Sequence, residues 1–177
     1  MIPNMTESPA TTLCKACGLC CSGHLFAWVR LNANELTPAE GLGLNVIRSD
    51  PRQRGFTQPC PLWQGICTVY TSPNYPRSCG TYKCQLLREL LDHNITLPNA
   101  LTVVQDTLEM IREIEPLLPA SSMISFRERL ITHKEQLEES KEREQTVSEQ
   151  EFMLKTDALL SYYENRFGVD DFIDYEK

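Results

Sequence analysis

All eight cysteines of this 177-residue chain lie between Cys14 and Cys84, and none follows. Clustering of this kind, in a chain without an export signal, points to metal ligation rather than to a disulfide framework. Cys14, Cys17 and Cys20 are each three positions apart, and Cys21 follows directly. Two-residue gaps let successive thiolates turn onto one ion, as in zinc knuckles. The same run matches the first three ligands of bacterial ferredoxins, and Cys60-Pro61 repeats their Cys-Pro ending far downstream.

The adjacent pair limits the geometry. In an extended backbone Cys20 and Cys21 point to opposite sides, so placing both on one ion needs a contorted loop. One thiolate site therefore resolves into two neighbouring centres, or into one centre with a bridging or spare thiol. Eight thiols suit two four-thiolate zinc sites. They equally suit one four-iron cluster with four thiols left over. Closed coordination is favoured, because spare exposed thiols oxidise. This reading puts Cys14, Cys17 and Cys20 in a first centre and Cys60, Cys67, Cys79 and Cys84 in a second. Cys84 opens a helix, whose N-terminal dipole favours the thiolate. His24 is a possible substitute ligand, though a histidine so placed more often lies at the surface or behind a ligand. One or two cysteines buried as plain apolar residues are ordinary; eight at these spacings are not.

Cys14-Lys-Ala-Cys17-Gly18-Leu-Cys20-Cys21, Cys60-Pro61-Leu62, Cys67-Thr68-Val69-Tyr70, Pro76-Arg77-Ser78-Cys79 and Cys84 together resemble the zinc- or iron-chelating cysteine-cluster family, a CxxCxxCC-type domain. The family pattern has Arg-Pro where this chain has Pro76-Arg77, so no role is carried over to that arginine. The resemblance covers about residues 14–84 and implies chelation of zinc or iron by these eight cysteines. A related cluster occurs in flagellin lysine N-methylase. The resemblance thereby implies, as the alternative, an iron–sulfur redox protein or a component of a methylase-like modifying enzyme. No catalytic residue is assigned by the sequence.

The remaining residues predict a mainly α fold: a small irregular cysteine-rich unit with a short β-hairpin, packed against three or four helices. Residues 1–13 read as a flexible tail, 14–95 as the metal-binding domain, 96–168 as a helical region and 169–177 as an acidic tail. Within the second of these, 14–23 read as a tight loop and 24–31 as a strand. Thr37, Pro38 and Glu40 read as the start of a short helix, and 48–59 as a polar loop. A hairpin is predicted around Gln64-Gly65, then a helix from Gln85 to His93. Leu101, Val104, Leu108 and Ile111 recur at helical spacing up to Glu115-Pro116. A helix over about 122–145 carries Met123, Phe126, Leu130 and Leu137. Another, capped near Ser148, carries Phe152, Leu159, Tyr163 and Phe167 and stops at Gly168. Trp28, Trp63, Tyr70 and Tyr82 read as core aromatics around the site.

Composition excludes some classes and leaves others. The apolar fraction of 41% is enough for a core. No apolar run is long enough for a membrane span, and the first residues lack a basic region followed by an apolar stretch, which predicts a cytoplasmic location. Up to Cys84 there are seven Lys and Arg against four Asp and Glu; beyond it, ten against twenty. Neither half has the basic stripe that nucleic acid requires. The predicted partners are a metal ion and a protein docked on the acidic helical region.

Overall fold

Ser8-Pro9 is a helix start by chemistry. The Ser8 hydroxyl accepts from the Thr11 amide and Pro9 takes the first helical position, where its missing N–H is harmless. The helix that follows, α1 (Pro9–Cys17), ends at Gly18 with a left-handed φ of 63°. In the computed structural model, which describes residues 7–140 and 144–169, this corrects two expectations. Residues 9–13 are not tail, and Cys14 and Cys17 are not on a loop. The reason is Leu13, which is 2% exposed and gives the helix an apolar face to bury.

The rest is mainly helical with one small sheet. The strands β1 (Trp28–Arg30), β2 (Val46–Ile47) and β3 (Gly55–Thr57) are antiparallel in the order β1-β3-β2, with Val29 and Val46 both opposite Phe56. The central strand β3 falls inside the stretch read as a polar loop, because three residues are too few for alternation to register. Between β1 and β2, α2 (Leu36–Gly41) is preceded by a short 3-10 turn whose capping box is Asn32 with Glu35, not Thr37 with Glu40. The hairpin at Gly65 shrinks to a single bridge, Trp63 to Cys67. Pro61 has no N–H for a ladder, and Thr68 folds back to donate its amide and hydroxyl to the Leu62 carbonyl at 3.1 and 2.9 Å.

Five helices follow: α3 (Arg77–Thr81), α4 (Gln85–Leu91), α5 (Leu97–Ile114), α6 (Phe126–Glu139) and α7 (Val147–Phe167). α6 starts later than expected. Ser121 accepts from the amides of Met123 and Ile124, and Ser125 caps through Glu128 N at 3.1 Å. Met123 is thus outside the helix and 86% exposed, while Phe126, Leu130 and Leu137 are buried as expected. α6 also ends at Glu139, short of the expected 145: residues 144 and 145 are not helical, and 141–143 lie outside the described residues. The cap of α7 is Thr146 with Glu149, and its expected inner face, Phe152, Leu159, Tyr163 and Phe167, is at most 1% exposed. Val169 is buried as well; the remainder of the predicted acidic tail lies outside the described residues.

One large apolar cluster joins α1 and α4 to α5, α6 and α7, and a smaller one sits under the sheet around Leu31, Leu36, Leu44 and Phe56. The boundary expected near residue 95 is therefore not a break in packing, since α1 and α4 lie directly on α5. Among the described residues no helix is long and apolar enough to cross a membrane.

Gly55 lets β1 and β3 meet: a Cβ there would stand 1.9 Å from the Val29 carbonyl oxygen. Gly55→Ala is expected to lower stability by about 1–3 kcal/mol. Gly41→Ala meets nothing within 4 Å at the end of α2, and should stabilise by up to about 1 kcal/mol. Denaturant midpoints of the two variants check the pair.

Candidate metal centre

Five stretches of chain bring the cysteines together. α1 supplies Cys14 and Cys17 on its last turns, and the turn after Gly18 supplies Cys20 and Cys21. Cys60 is tied to that turn by its amide, which donates to the Cys21 carbonyl at 2.8 Å. Cys67 lies on the one-bridge hairpin. Cys79 lies in α3, which is held to the sheet by Ser78 Oγ donating to the Arg30 carbonyl at 2.6 Å and by the Arg77 amide donating to Glu35 at 2.9 Å. Cys84 is the N-cap of α4. Every one of the eight except Cys60 lines a single cavity of about 320 Å³. None of them is in a disulfide.

Their electrostatic neighbourhoods divide them four and four. Burial first, and then Cys17, Cys84, Cys21 and Cys14, push the Cys20 thiol well above its ordinary value. Burial and then Cys84, Cys14 and Cys21 act in the same way on Cys17, raised to about 12 although the Leu19 amide favours its thiolate. Cys14 is raised by burial and by Cys84. These four form one group. Cys21, raised to about 12 by burial, feels Cys60 and Cys67 before it feels Cys14. Cys79, also raised to about 12 by burial, feels Cys21, Cys60 and Cys67. These four form the other.

The partition differs from the sequence reading by one exchange. Cys84 was expected with Cys60, Cys67 and Cys79, but it joins Cys14, Cys17 and Cys20. Cys21 takes its place in the second group. The cause is tertiary: α1 and α4 pack side by side in the core, so the start of α4 meets the end of α1. The opposed directions of Cys20 and Cys21 then send the neighbouring thiols into different groups, as their adjacency requires.

Amides aimed at sulfur recur. Burial raises Cys84, and the amides of Leu87 and Leu86 at the start of α4 oppose it, although no cap hydrogen bond is closed. Burial likewise raises Cys60, and the amides of Leu62 and Trp63 oppose it. Such donors stabilise thiolate over thiol. Each group also has a tyrosine beside it. Burial and then Cys79, Cys67 and Cys21 push Tyr75 up; burial and then Cys20 and Cys84 do the same to Tyr82. Tyr75 and the Arg88 guanidinium, which lowers Cys84, were not found from the sequence. Neither residue carries a spacing signal.

The other expected participants behave differently. Trp28, Trp63, Tyr70 and Tyr82 line the cavity rather than a core, and Tyr70 and Tyr82 are 39% and 42% exposed. His24 faces a separate pocket beside Arg129 and Phe126, its Nδ1 2.5 Å from Ser22 Oγ, with its pKa lowered to about 4 chiefly by burial. It is not a member of either group.

Among the described residues no three Cys, His, Asp or Glu side chains already stand as a ligand shell. The groups are neighbourhoods of protonated thiols, and each sulfur swings on a single χ1 rotor. The donor set nevertheless suits zinc or iron: four soft sulfurs per group, amides directed at three of them, and mutual repulsion that a cation reverses. No family model, curated protein or solved structure matches this chain.

Two outcomes follow from this geometry. Gly18 packs against the Trp63 indole, whose Cζ2 would lie 2.0 Å from an added Cβ. Gly18→Ala should therefore shift the Trp63 indole outward, red-shift the tryptophan emission and speed thiol alkylation. In the metal-free chain, Cys17, Cys21 and Cys79 hold their protons to about 12 against an ordinary 9.0. The folded form then binds more protons than the unfolded chain at alkaline pH, so the contribution of these thiols is full below about pH 9 and declines as pH rises towards about 12. Denaturant midpoints measured in excess chelator across that range report it.

Proposed function

We propose that this chain is a metal-binding protein with two neighbouring four-thiolate centres, Cys14, Cys17, Cys20 and Cys84 in one and Cys21, Cys60, Cys67 and Cys79 in the other. The observation that carries the reading is that seven of the eight cysteines, brought from distant stretches of chain, line one cavity, with Cys60 tied beside it by its amide bond to the Cys21 carbonyl. Thiols so placed repel one another as thiolates, and nearby cations such as Arg88, beside Cys84, are too few to offset eight negative charges. A zinc or iron ion supplies the compensating charge.

The metal's contribution is first of all structural. From Pro59 to Gln85 Pro76 alone is buried, and the stretch contains one five-residue helix and one bridge. Such a segment has no apolar core of its own, and small units of this kind rely on metal or disulfides. Structural zinc contributes apparent binding energies of about 10–16 kcal/mol in small metallo-domains, which is ample.

A second reading is an iron–sulfur protein, and one observation favours it. The two groups share one continuous cavity of about 320 Å³, more room than two bare ions need. Iron–sulfur ligation would supply electron transfer at that position, with the amides of Leu86, Leu87 and Leu62 tuning the sulfurs.

Elemental analysis of anaerobically purified full-length protein separates the readings. Two equivalents of zinc in colourless protein support the first. Iron with acid-labile sulfide and a brown colour support the second, and protein with neither metal excludes both. Acidification should release the metal, because protons compete for the thiolates. Cys20→Ser and Cys21→Ser should each remove about one equivalent of zinc, where a single shared centre would lose all of it in both variants.

A further inference from the structure

The two groups are built from different parts of the fold. Cys14, Cys17 and Cys20 come from α1 and the turn that follows, and Cys84 from the start of α4; Cys17, Cys20 and Cys84 pack against the large helical core. That framework is secured by Leu13, Leu19, Leu86 and Leu87, none more than 7% exposed. The other group takes Cys60, Cys67 and Cys79 from the stretch in which only Pro76 is buried. Its links to the rest of the chain are Cys21, the amide bond from Cys60, the hydrogen bonds of Arg77 and Ser78 to Glu35 and β1, and the packing of Cys60, Leu62 and Cys79 on the smaller cluster under the sheet.

Accessibility is also unequal. Cys14 is the single exposed cysteine, and the other seven are half-buried. It lines the cavity next to Lys15, whose ammonium lies 5.3 Å from the Tyr70 ring centroid. An incoming donor can reach its sulfur without opening the helical core.

We propose a division of labour that rests on the two-centre reading: the Cys21, Cys60, Cys67 and Cys79 centre is structural and slow to exchange, whereas the Cys14, Cys17, Cys20 and Cys84 centre is an exchange site that passes a zinc-like cation to and from a thiol-bearing carrier through Cys14. Transfer is ligand substitution without redox change. An incoming thiolate bonds to the metal as the Cys14 sulfur leaves it, further carrier thiolates then replace Cys84, Cys17 and Cys20 in the same way, and the proton lost by each incoming thiol is balanced by the one the released cysteine takes up. The helices stay in place because their packing does not depend on that metal. Losing the other metal loosens the segment from Pro59 to Lys83, whose remaining supports are a few hydrogen bonds and the half-buried Cys60, Leu62 and Cys79 against the sheet cluster.

The test uses zinc-loaded full-length protein and a thiol-bearing carrier, glutathione, with a colorimetric chelator as reporter. One equivalent should leave at least ten times faster than the second, with unchanged circular dichroism and trypsin pattern. Glutathione should speed only that fast phase. Loss of the second equivalent should open trypsin cleavage after Arg77 and Lys83, exposed residues at the start of α3 and just beyond its end. Peptide mapping of brief iodoacetamide treatment should find Cys14 alkylated first. Cys14→Ser should abolish the glutathione-dependent fast phase and keep the trypsin pattern, while Cys67→Ser should keep the fast phase and lose protection after Arg77. Two equivalents released in one phase, alkylation beginning in the other group, or protection lost with the first equivalent would overturn the division and leave the two-centre reading standing. Protein that takes up no zinc overturns both.

Discussion

Thiolates gathered out of water repel one another, and a buried thiol resists ionising at all. That repulsion is the constraint on which the N-terminal half of this protein turns. With protons on every sulfur the groups are neutral and tolerate burial, which is why burial and neighbouring cysteines act in the same direction on Cys14, Cys17, Cys20, Cys21 and Cys79. With a cation present the sign reverses, and the same crowding becomes attraction. The amides pointed at Cys17, Cys60 and Cys84 already favour the charged form. Their placement is wasted on a thiol and useful to a thiolate.

The helical half has a different basis. α5, α6 and α7 close around Leu130, Leu159, Tyr163 and Ile114, all essentially inaccessible, and burial of such side chains contributes about 1.5–3 kcal/mol each. This core needs no metal. It also extends under α1 and α4, so half of the cysteines stand on a surface fixed by ordinary packing. Of the other half, Cys60, Cys67 and Cys79 stand on a segment in which only Pro76 is buried, with Cys60 and Cys79 against the smaller cluster under the sheet. A protein built this way can place one centre precisely and let the other hold a loop.

Much of the helical pattern was legible because its signals are local. Thr96 and Pro98 open α5, Gly168 ends α7, and Phe152, Leu159, Tyr163 and Phe167 repeat at helical spacing. The errors came where a signal was short or non-local. α1 was missed because nine residues carry one buried leucine, and its start reads as tail unless Ser8-Pro9 is taken as a cap. β3 was missed because it is three residues long and exists only as the partner of β1 and β2. The aromatic residues near the cysteines were assigned to a core, since nothing in their spacing says that they line a cavity.

The sequence by itself determined the chemistry of the site: eight soft donors in one stretch, a knuckle-like start, and an adjacent pair, Cys20 and Cys21, that cannot easily serve one ion. Those conclusions rest on residue type and on bond directions between neighbours, which the chain fixes before it folds. Which cysteine stands with which was decided only by tertiary structure. The partner of Cys14, Cys17 and Cys20 is Cys84, sixty-four positions beyond Cys20, and it arrives because leucines on α1 and α4 bury against the same helices. Apolar packing of α1 and α4 against the same helices chose the fourth member of each group.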